Sequence, residues 1–412
     1  MKKSFFFSGS MVATMLFILC SQKLSAANPP ATDENKVVMR CGSMEAWEMQ
    51  RQIDPEFDQR RKEFKDGIRE YLQKNPNPKI QGVVTIPVVF HVVWRVAAEN
   101  LSDACLKTQI DALNRDFRKL NTDISTAPAQ FQAIAADCEF NFCLASKNPQ
   151  GGSTNGITRK QTTVSTFSIY NEGVKHSSSG GDDTWGKANY LNIWICNLGM
   201  QVGGYVTQLG CAASNAIDGV VVNYLLTGQG SCANGNYDKG RSCVHETGHW
   251  FGLDEIFWDG CAGNTPSTCA SQGDGICDTP PTANPNLNNY NCTPQNTCKE
   301  TPTDQTDMIQ NYMDYSAERC RVMFTKGQKA WMVATYNQCR QSVGSGATTR
   351  CQVGINDLSI SDNISFYPNP SDGNIFMHVD LPNINSIDVT IYNAIGEAVL
   401  SKKIIVPSGR EI

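Results

Sequence analysis

Hydrophobic and polar positions follow several distinct patterns along the chain, and each pattern predicts a different element. Residues 83–96 form a long apolar, β-rich run that indicates a strand. Apolar residues then recur at helical spacing and predict a helix at about 104–120 with one buried face. The residues on that face are Leu106, Ile110, Leu113, Phe117 and Leu120.

Shorter patterns continue this organisation toward the C-terminus. Apolar stretches predict strands at 138–145, 190–197, about 203–208 and 217–225. Helices are predicted from about 239 and over about 325–339. The order of strand, helix, strands and helix predicts an α/β fold in which a helix packs behind a twisted mixed sheet.

The two ends of the chain differ from this central part. Residues 54–72 predict a helix, which the Pro-containing linker at 75–78 terminates. Residues 256–324 are rich in loops and hold six cysteines. Residues 356–412 show short alternating strands separated by turn residues, which predict a small β-sandwich that stops abruptly at residue 412.

The first 26 residues predict a secretory signal. Lys2 and Lys3 form a basic start, an apolar stretch follows, and the small residues at 25–27 offer a cleavage site. No later apolar run is long enough to span a membrane. The sequence therefore predicts a secreted protein, either free or attached to the cell surface.

Composition supports export and excludes some partners. The 412 residues carry a formal charge of −5, which gives no reason to expect nucleic acid or an anionic membrane as a partner. Seventeen cysteines in an exported chain imply disulfides. Cys20 leaves with the signal, and Cys41 stands alone near the mature N-terminus. The remaining fifteen are an odd number, so at least one of them is free or pairs elsewhere.

The strongest chemical signal is the stretch from His245 to Glu255, which contains HExxH. His245 and His249 are one helical turn apart, so both imidazoles can bind one zinc ion. Glu246 is then placed to take a proton from water at the metal. Gly252 allows the chain to leave the helix with a positive φ angle and to carry Glu255 back toward the metal.

Together with residues 311–315 (NYMDY), this motif resembles the metzincin metallopeptidases, and among them the pappalysin family. The resemblance runs from about residue 38 to 340. It implies that Met313 forms a tight turn beneath the zinc. It also implies that Tyr315 stabilises the oxyanion of the tetrahedral intermediate, although ordinary packing would also explain both residues.

The resemblance further implies latency. Residues 40–43 (RCGS) are similar to the inhibitory prosegment motif of the family, in which a thiolate takes the position that water needs at the zinc. Cys41 would play this role, and a disulfide partner is the alternative. The expected domains are a prosegment at 27–80, a metzincin catalytic domain at 81–344 and an incomplete C-terminal domain at 356–412.

Family-like disulfides would join Cys261 to Cys298 and Cys292 to Cys320, which leaves Cys269 to pair with Cys277 in the same disulfide-bonded lower subdomain. Residues 273–280 resemble a calcium-binding loop of family members, with Asp274 and Thr279 as the expected ligands, because calcium prefers oxygen. Asp and Gly are also ordinary turn residues.

The C-terminal segment resembles the sorting domain of type IX secretion. It contains YPNP at 367–370, followed by Asp372-Gly373 and a strand at 389–393. Type IX secretion machinery is therefore an expected partner. The usual last strands are missing, and a plain accessory β-domain is the alternative.

One position departs from the family, because Glu255 stands where the resemblance predicts histidine. Glutamate binds zinc through oxygen at nearly the same distance, so Glu255 is the predicted third ligand. Its negative charge would lower the Lewis acidity of the metal and slow the enzyme or shift its pH optimum. Asp254, His91 and His176 remain open as replacement ligands.

The predicted function is a secreted zinc-dependent endopeptidase that hydrolyses peptide bonds in proteins and is made as a latent zymogen. Glu246 would be the base, and Tyr315 would stabilise the oxyanion. The alternative is a protease-like binding or adhesion protein that has lost its chemistry, and Glu255 is the only feature in its favour.

Overall fold

The computed structural model describes residues 40–351, except 213, 215, 288 and 346, together with four strands between 364 and 405. The predicted signal at 1–26 and the first part of the predicted prosegment lie outside the described residues. Among the described helices, none is long and apolar enough to cross a membrane.

A seven-stranded mixed sheet forms the centre of the fold, in the order β1-β6-β7-β5-β2-β3, with β4 also paired to β2. All pairs are parallel except the antiparallel pair of β6 and β7. The strands are β1 (Arg40–Cys41), β2 (Val84–Trp94), β3 (Phe140–Leu144), β4 (Ile157–Gln161), β5 (Leu191–Cys196), β6 (Val202–Tyr205) and β7 (Val220–Asn223).

Strand β2 is the long β-rich run predicted at 83–96. Its first half pairs with β3, and its second half pairs with β4, while β5 pairs along its other edge. Residues 86–93 of β2 are all buried. Burial on both faces explains why the run is almost continuously apolar rather than alternating.

The helices pack around this sheet and supply most of the remaining core. The cap of α3 is Ser102, whose hydroxyl accepts from Cys105 N, and a capping box between Thr325 and Gln328 begins α6. The helices are α1 (Ser43–Ile53), α2 (Phe57–Lys74), α3 (Asp103–Phe117), α4 (Ala129–Gln132), α5 (Arg241–Trp250), α6 (Lys326–Thr335), α7 (Gln341–Ser345) and α8 (Ala347–Arg350). One π-helical turn, Tyr336–Arg340, connects α6 to α7.

Two boundaries differ from the expectation. Helix α3 ends at Phe117, because Lys119 adopts a φ of +52°, and Leu120 is therefore 68% exposed rather than part of the buried face. The helix predicted at 54–72 begins at Phe57 and is preceded by a separate helix, α1, which was not predicted from the sequence.

Six disulfides join the described residues. The three bridges expected in the loop-rich region are confirmed: Cys261–Cys298, Cys269–Cys277 and Cys292–Cys320. Three further bridges are Cys105–Cys232, Cys143–Cys351 and Cys211–Cys339. The free cysteines among the described residues are Cys41, Cys138, Cys196 and Cys243, and all four are buried.

The C-terminal segment contributes two antiparallel strand pairs. One pair joins β8 (Ile364–Tyr367) to β9 (Phe376–Val379), and the other joins β10 (Ser386–Tyr392) to β11 (Ala398–Ile405). These pairs agree with the short alternating strands that the sequence predicts for this region.

Candidate active site

Helix α5 presents His245 and His249 from one face. Their ring centroids are 4.7 Å apart, and both side chains are buried. Met313 lies directly beneath the helix, since a Cβ added at Gly248 would come within 2.5 Å of its sulfur atom. The absence of a side chain at Gly248 thus allows the turn at Met313 to approach the helix closely.

Each histidine is held in a single tautomer by a main-chain carbonyl. His245 Nδ1 lies 2.7 Å from Tyr312 O, and His249 Nδ1 lies 2.8 Å from Leu253 O. A carbonyl oxygen only accepts, so each Nδ1 carries a proton, and the neutral form of each ring presents the lone pair of Nε2. This is the arrangement that a zinc-binding histidine needs.

Gly252 turns the chain back toward this pair. It adopts a φ of +89°, as the sequence predicts, and Glu255 follows as a buried residue. Glu255 Oε1 lies 3.1 Å from His249 Nε2, and Glu255 Oε2 lies 3.5 Å from His245 Nε2. The carboxylate therefore stands where the third ligand of the motif is expected.

Cys41 enters the same cluster from a distant part of the chain. Its sulfur lies 3.5 Å from His249 Nε2 and 3.4 Å from Glu246 Oε2. One ligand atom from each of Cys41, His245, Glu246 and His249 lies within 4.8 Å of the others. The structure thus brings together the thiol and the HExxH residues that the sequence motifs single out separately.

Strand β1 holds Cys41 in place through the edge of the sheet. It runs parallel to β6, with Cys41 opposite Gly204, and Gly42 N donates to Gly204 O at 2.8 Å. A Cβ at Gly204 would lie 2.8 Å from Glu246 Cγ, so β6 passes closely over the active-site helix. The sheet edge beside Glu246 is consequently occupied by the chain itself.

Tyr315 completes the cluster. Its hydroxyl donates to Glu255 Oε1 at 2.8 Å and lies 3.2 Å from Cys41 O. Burial raises the pKa of Tyr315 well above its usual value, and the neighbouring Cys41 and Glu255 raise it further. The phenol therefore stays protonated and available as a hydrogen-bond donor.

The charges in this cluster perturb one another. Burial opposes the charged form of His249, but the Glu255 carboxylate outweighs it and raises the pKa of His249 to about 9. Burial likewise opposes ionisation of Glu255, but the two imidazoles hold the pKa of this carboxyl well below its usual range. Burial raises the pKa of Glu246, whereas the imidazoles of His245 and His249 partly offset that rise.

The donor set fits a zinc ion. His245 Nε2 and Glu255 Oε2 are buried and face each other at 3.5 Å, and neither has a hydrogen-bond partner among the residues that the structure describes. Buried polar atoms rarely remain unpaired, and a metal cation between them would satisfy both. Two imidazoles and one carboxylate form a ligand set that zinc uses in catalytic sites.

Two of the three side chains considered as replacement ligands, Asp254 and His91, are held by other partners. Asp254 accepts from Arg61 Nη2 and pairs with Lys65. His91 lies between Asp182 and Asn192, at 2.8 and 3.1 Å. The metal-ligand group found among the described residues consists of Cys41, His245, Glu246 and His249, so it contains neither His176 nor Glu255. Glu255 nevertheless lies 3.1 Å from His249 Nε2.

The residues predicted to bind calcium satisfy each other. Asp274 Oδ2 accepts from the Thr279 hydroxyl at 2.7 Å, and its Oδ1 accepts from Ile276 N at 3.0 Å. Burial raises the pKa of Asp274 to about 8, and the hydrogen bond from Thr279 lowers it only in part. Calcium at this loop stays a prediction.

Two residues of the site, Ser43 and Trp47, were not predicted from the sequence. The Ser43 hydroxyl lies 3.4 Å from Glu246 Oε2, and the Trp47 ring meets the His249 ring edge to face at 5.5 Å. Both lie on α1, whose buried positions 43, 46, 47 and 50 recur at helical spacing. That periodicity was the available signal.

Comparison with known proteins identifies the class. A peptidase M43 model, described as pregnancy-associated plasma protein-A, matches residues 175–337. An extracellular metalloprotease of Sordaria macrospora is 30% identical over 265 residues, which cover 56% of this chain and 87% of that protein. A second one, from Colletotrichum graminicola, is 29% identical, with 62% of this chain and 78% of that protein covered.

Solved structures agree. Tannerella forsythia promirolysin is 34% identical, with a TM-score of 0.64, and covers 76% of this chain and 99% of its own. Mature mirolysin of the same organism, in complex with a cleaved peptide, is 37% identical, with a TM-score of 0.58, and covers 65% of this chain and 98% of its own. A secretion system C-terminal sorting domain matches residues 365–411.

The fold and the site therefore define a zinc metallopeptidase of the metzincin type. The chain belongs to the pappalysin family of metallopeptidases. It is a secreted or cell-surface protein with a C-terminal sorting domain, and its substrates are peptides or proteins. These matches do not favour the alternative of a binding protein without catalysis.

Proposed function

We propose that the chain is an endopeptidase whose metal is held by His245, His249 and Glu255. The unpartnered Nε2 of His245 and Oε2 of Glu255 are the observation that supports this ligand set. Zinc, when bound, acts as a Lewis acid on the scissile carbonyl and on the attacking water.

The protein side chains supply the proton transfers and orientation. Glu246 takes a proton from the attacking water and delivers it to the leaving nitrogen. Its burial supports this role, because burial raises the pKa of the carboxyl toward the working range of a general base. The Tyr315 hydroxyl donates to the oxyanion as negative charge develops there. Met313 supports the floor of the site beneath α5.

We also propose that the secreted precursor is latent and that Cys41 is the switch. The position of its sulfur, 3.5 Å from His249 Nε2 and 3.4 Å from Glu246 Oε2, carries this proposal. Burial raises the pKa of the Cys41 thiol well above its usual value, and Glu246 and Glu255 add to this effect. A zinc cation acts in the opposite sense and favours the thiolate, which then excludes the attacking water.

The main chain around Cys41 adds a second block. Strand β1 uses the hydrogen-bonding edge of β6 at Gly204. An extended substrate would need the same edge, because peptides commonly bind as an added strand. Removal of the segment would therefore free both the metal position and the sheet edge.

We propose the domains that the sequence predicts: a signal at 1–26, a prosegment at 27–80, a catalytic domain at 81–344 and an incomplete sorting-like domain at 356–412. Promirolysin covers 76% of this chain, whereas mature mirolysin covers 65%. This difference in coverage supports a removable segment in the present chain. Residues 75–77 and 81–83 are exposed and lie outside any helix or strand, which suits proteolytic cleavage.

Two finer proposals concern partners. The C-terminal domain would be recognised by type IX secretion machinery, and its match to a secretion sorting domain supports this. A calcium ion would bind near Asp274 and Thr279. Their carboxylate and hydroxyl oxygens are of the kind that calcium prefers.

The test of the switch compares Cys41→Ala with the wild type, both expressed as full-length chains. Hydrolysis of a quenched peptide is followed before any processing, and intact mass is followed in parallel. We expect the Cys41→Ala precursor to show activity before processing and to cleave itself faster than the wild type, because the segment that covers the sheet edge is then no longer anchored at the metal position. Replacement of the buried, free Cys243 by alanine is the matched control and should leave the precursor latent. If both precursors are equally silent and intact, Cys41 is not the switch.

A further inference from the structure

Helix α2 of the proposed prosegment covers a face of the proposed catalytic domain. Its buried residues recur at helical spacing and are Phe57, Arg61, Lys65 and Ile68. The helix contributes no residue to the metal-ligand group that the described residues form around the HExxH motif. Removal of the prosegment would therefore uncover a second surface in addition to the metal position and the sheet edge.

The first feature of this surface is a pocket between Gly210 and Gly252, which the ring of Phe64 fills. A Cβ added at Gly252 would lie 2.6 Å from Phe64 Cζ, and one added at Gly210 would overlap the same ring. The pocket is held by contacts outside α2, because Gly210 N donates to His249 O at 3.2 Å and the Arg340 guanidinium donates to Gly210 O. This glycine pocket should therefore keep its shape after the segment leaves.

The second feature is a buried carboxylate, Asp254, whose cationic partners in the described part of the chain both belong to α2. Its Oδ1 accepts from Arg61 Nη2 at 2.5 Å, and its Oδ2 pairs with Lys65. The Arg61 guanidinium also stacks on the Trp258 ring, 4.4 Å from its centroid. Removal of α2 takes away both cations, and a buried carboxylate without a cation is costly. A ligand that brings a new cation beside the Trp258 ring would relieve that cost.

We infer that this surface is a docking site in the processed enzyme for a basic amphipathic helix of a protein substrate. We call it the α2 face, and it is formed by Gly210, Gly252, Asp254 and Trp258. The inference rests on the proposed endopeptidase function and names a class of substrate. An arginine of the substrate helix would pair with Asp254 and stack on Trp258, and an aromatic residue three positions later would enter the glycine pocket. Residues at i and i+3 lie on one face of a helix, as Arg61 and Phe64 do in α2.

The released segment is the competing occupant of the α2 face. Its effective concentration there is high while it is joined to the enzyme, and it collapses after cleavage and dilution. A substrate in excess over the enzyme meets no such limit. The precursor also shows that one chain can reach both places, since the stretch from Cys41 to Arg61 runs from the metal position to Asp254. A substrate that is joined to its own docking helix would gain from binding at both places in the same way.

The experiment uses enzyme processed from the full-length chain, with loss of the segment checked by intact mass. Two quenched peptides share one cleaved sequence, and one of them also carries residues 55–74 as a tail on a flexible linker, placed in turn before and after that sequence. The tail contains α2 but not Cys41, so it has no thiol for the metal position. We expect the tail in one of these placements to lower KM by about tenfold or more with little change in kcat, because it adds binding that is equal in the ground state and the transition state.

Substitutions in the tail and in the enzyme assign the effect to the α2 face. A tail with Arg61→Gln and Lys65→Gln, or with Phe64→Ala, should lose most of the effect on KM. In the enzyme, Asp254→Asn should bring the ratio of the two KM values close to unity, because an amide forms a weaker hydrogen bond to a guanidinium than a carboxylate does. Asp137→Asn is the matched control, because it removes a carboxylate that is 41% exposed and should keep the wild-type ratio.

The outcomes separate this inference from the function on which it rests. Equal KM values for the tailed and untailed peptides would overturn the docking site while leaving the endopeptidase function intact. If free peptide 55–74 binds the enzyme but the KM values are equal, the face serves the released segment alone, and the inference is equally wrong. A full tail effect in folded, zinc-bound Asp254→Asn would contradict the role of the α2 face. Failure to cleave either peptide, with zinc bound, would overturn the endopeptidase function and the inference with it.

Discussion

Arg61 and Asp254 form a buried ion pair with an Nη2–Oδ1 distance of 2.5 Å, although they are 193 residues apart in the sequence. Lys65, one turn further along α2, pairs with the other carboxylate oxygen. The Arg61 guanidinium also stacks on Trp47 and Trp258, at 4.2 and 4.4 Å from the ring centroids. Helix α2 is thereby fastened to the residue that precedes Glu255.

This contact predicts how firmly the proposed prosegment is held. In Arg61→Gln/Lys65→Gln, Asp254 would remain buried without a cation, which costs about 3–5 kcal/mol. The precursor should unfold at a lower temperature, and the cut segment should dissociate faster, so activation should accelerate. Calorimetry of the precursor and the time course of activation measure both effects.

The control for this prediction is Lys62→Gln. Lys62 is 71% exposed and pairs with the exposed Asp66, and such surface pairs contribute about 0–1 kcal/mol. This variant should behave as the wild type. If the double variant activates at the same rate as the wild type, the ion pair does not govern release of the segment.

Glu246→Ala should abolish catalysis and leave the metal in place. The substitution removes the general base but none of the proposed ligands, so kcat should fall by about 10²- to 10⁴-fold while zinc content stays at one ion per chain. Peptide hydrolysis and metal analysis of the same preparation test this. Activity that persists in a zinc-loaded Glu246→Ala enzyme would exclude Glu246 as the base.

Tyr315→Phe separates donation to the oxyanion from packing. The ring and its contacts remain, but the hydroxyl that lies 2.8 Å from Glu255 Oε1 is lost. Loss of one oxyanion donor predicts a decrease in kcat of about 10²- to 10³-fold with little change in KM. An equal loss in a neighbouring packing variant, Phe257→Leu, would instead indicate that the ring alone matters, since Phe257 packs against Tyr315 at 4.8 Å.

The raised pKa of Asp274 predicts that the stability of the chain depends on pH, and this dependence provides a test for calcium binding. Burial raises its pKa to about 8 from the usual value near 4, so the folded chain binds more protons than the unfolded chain between these values. The contribution of protonated Asp274 to the free energy of unfolding is therefore present at low pH. It is lost as the pH rises toward 8, at up to about 1.4 kcal/mol per pH unit.

The measurement compares thermal unfolding of the wild type and Asp274→Asn from pH 5 to 8, with EDTA or calcium. In EDTA, the wild type should lose stability relative to Asp274→Asn as the pH rises. Calcium should reverse that loss near pH 8, because it favours the ionised carboxylate. If calcium has no effect on the wild type at pH 8, the predicted calcium site is wrong.

Periodicity predicted the sheet and the helix that carries the metal motif, because their burial patterns follow the secondary structure directly. It missed α1, where the charged Glu45, Glu48 and Arg51 dilute the apolar positions. Local patterns also could not show that Arg321 lines a small cavity beside His245, because the loop after Met313 sets that contact in three dimensions. The pairing of Asp254 with Arg61 depends on the same kind of long-range packing.

Glu255 is the position where this chain departs from the histidine expected in its family, and two substitutions test its role. Glu255→Ala removes one of three proposed ligands. Loss of an outer-shell partner alone weakens metal binding by about 10- to 100-fold, so loss of a direct ligand should cost more than about 100-fold. Competition with a chelator measures this affinity without reference to activity.

Glu255→His should restore a neutral third ligand. The metal would then be a stronger Lewis acid and its bound water easier to ionise, so the acid limb of the kcat/KM profile should move to lower pH, and activity should be kept or raised. The substitution would also remove the carboxylate oxygen that accepts the hydrogen bond from the Tyr315 hydroxyl, so this hydroxyl would be free to donate to the oxyanion. Gly252, with its φ of +89°, remains in both variants, so the chain still returns toward the metal. Unchanged zinc affinity in Glu255→Ala, together with an unshifted pH profile in Glu255→His, would show that Glu255 is not a ligand.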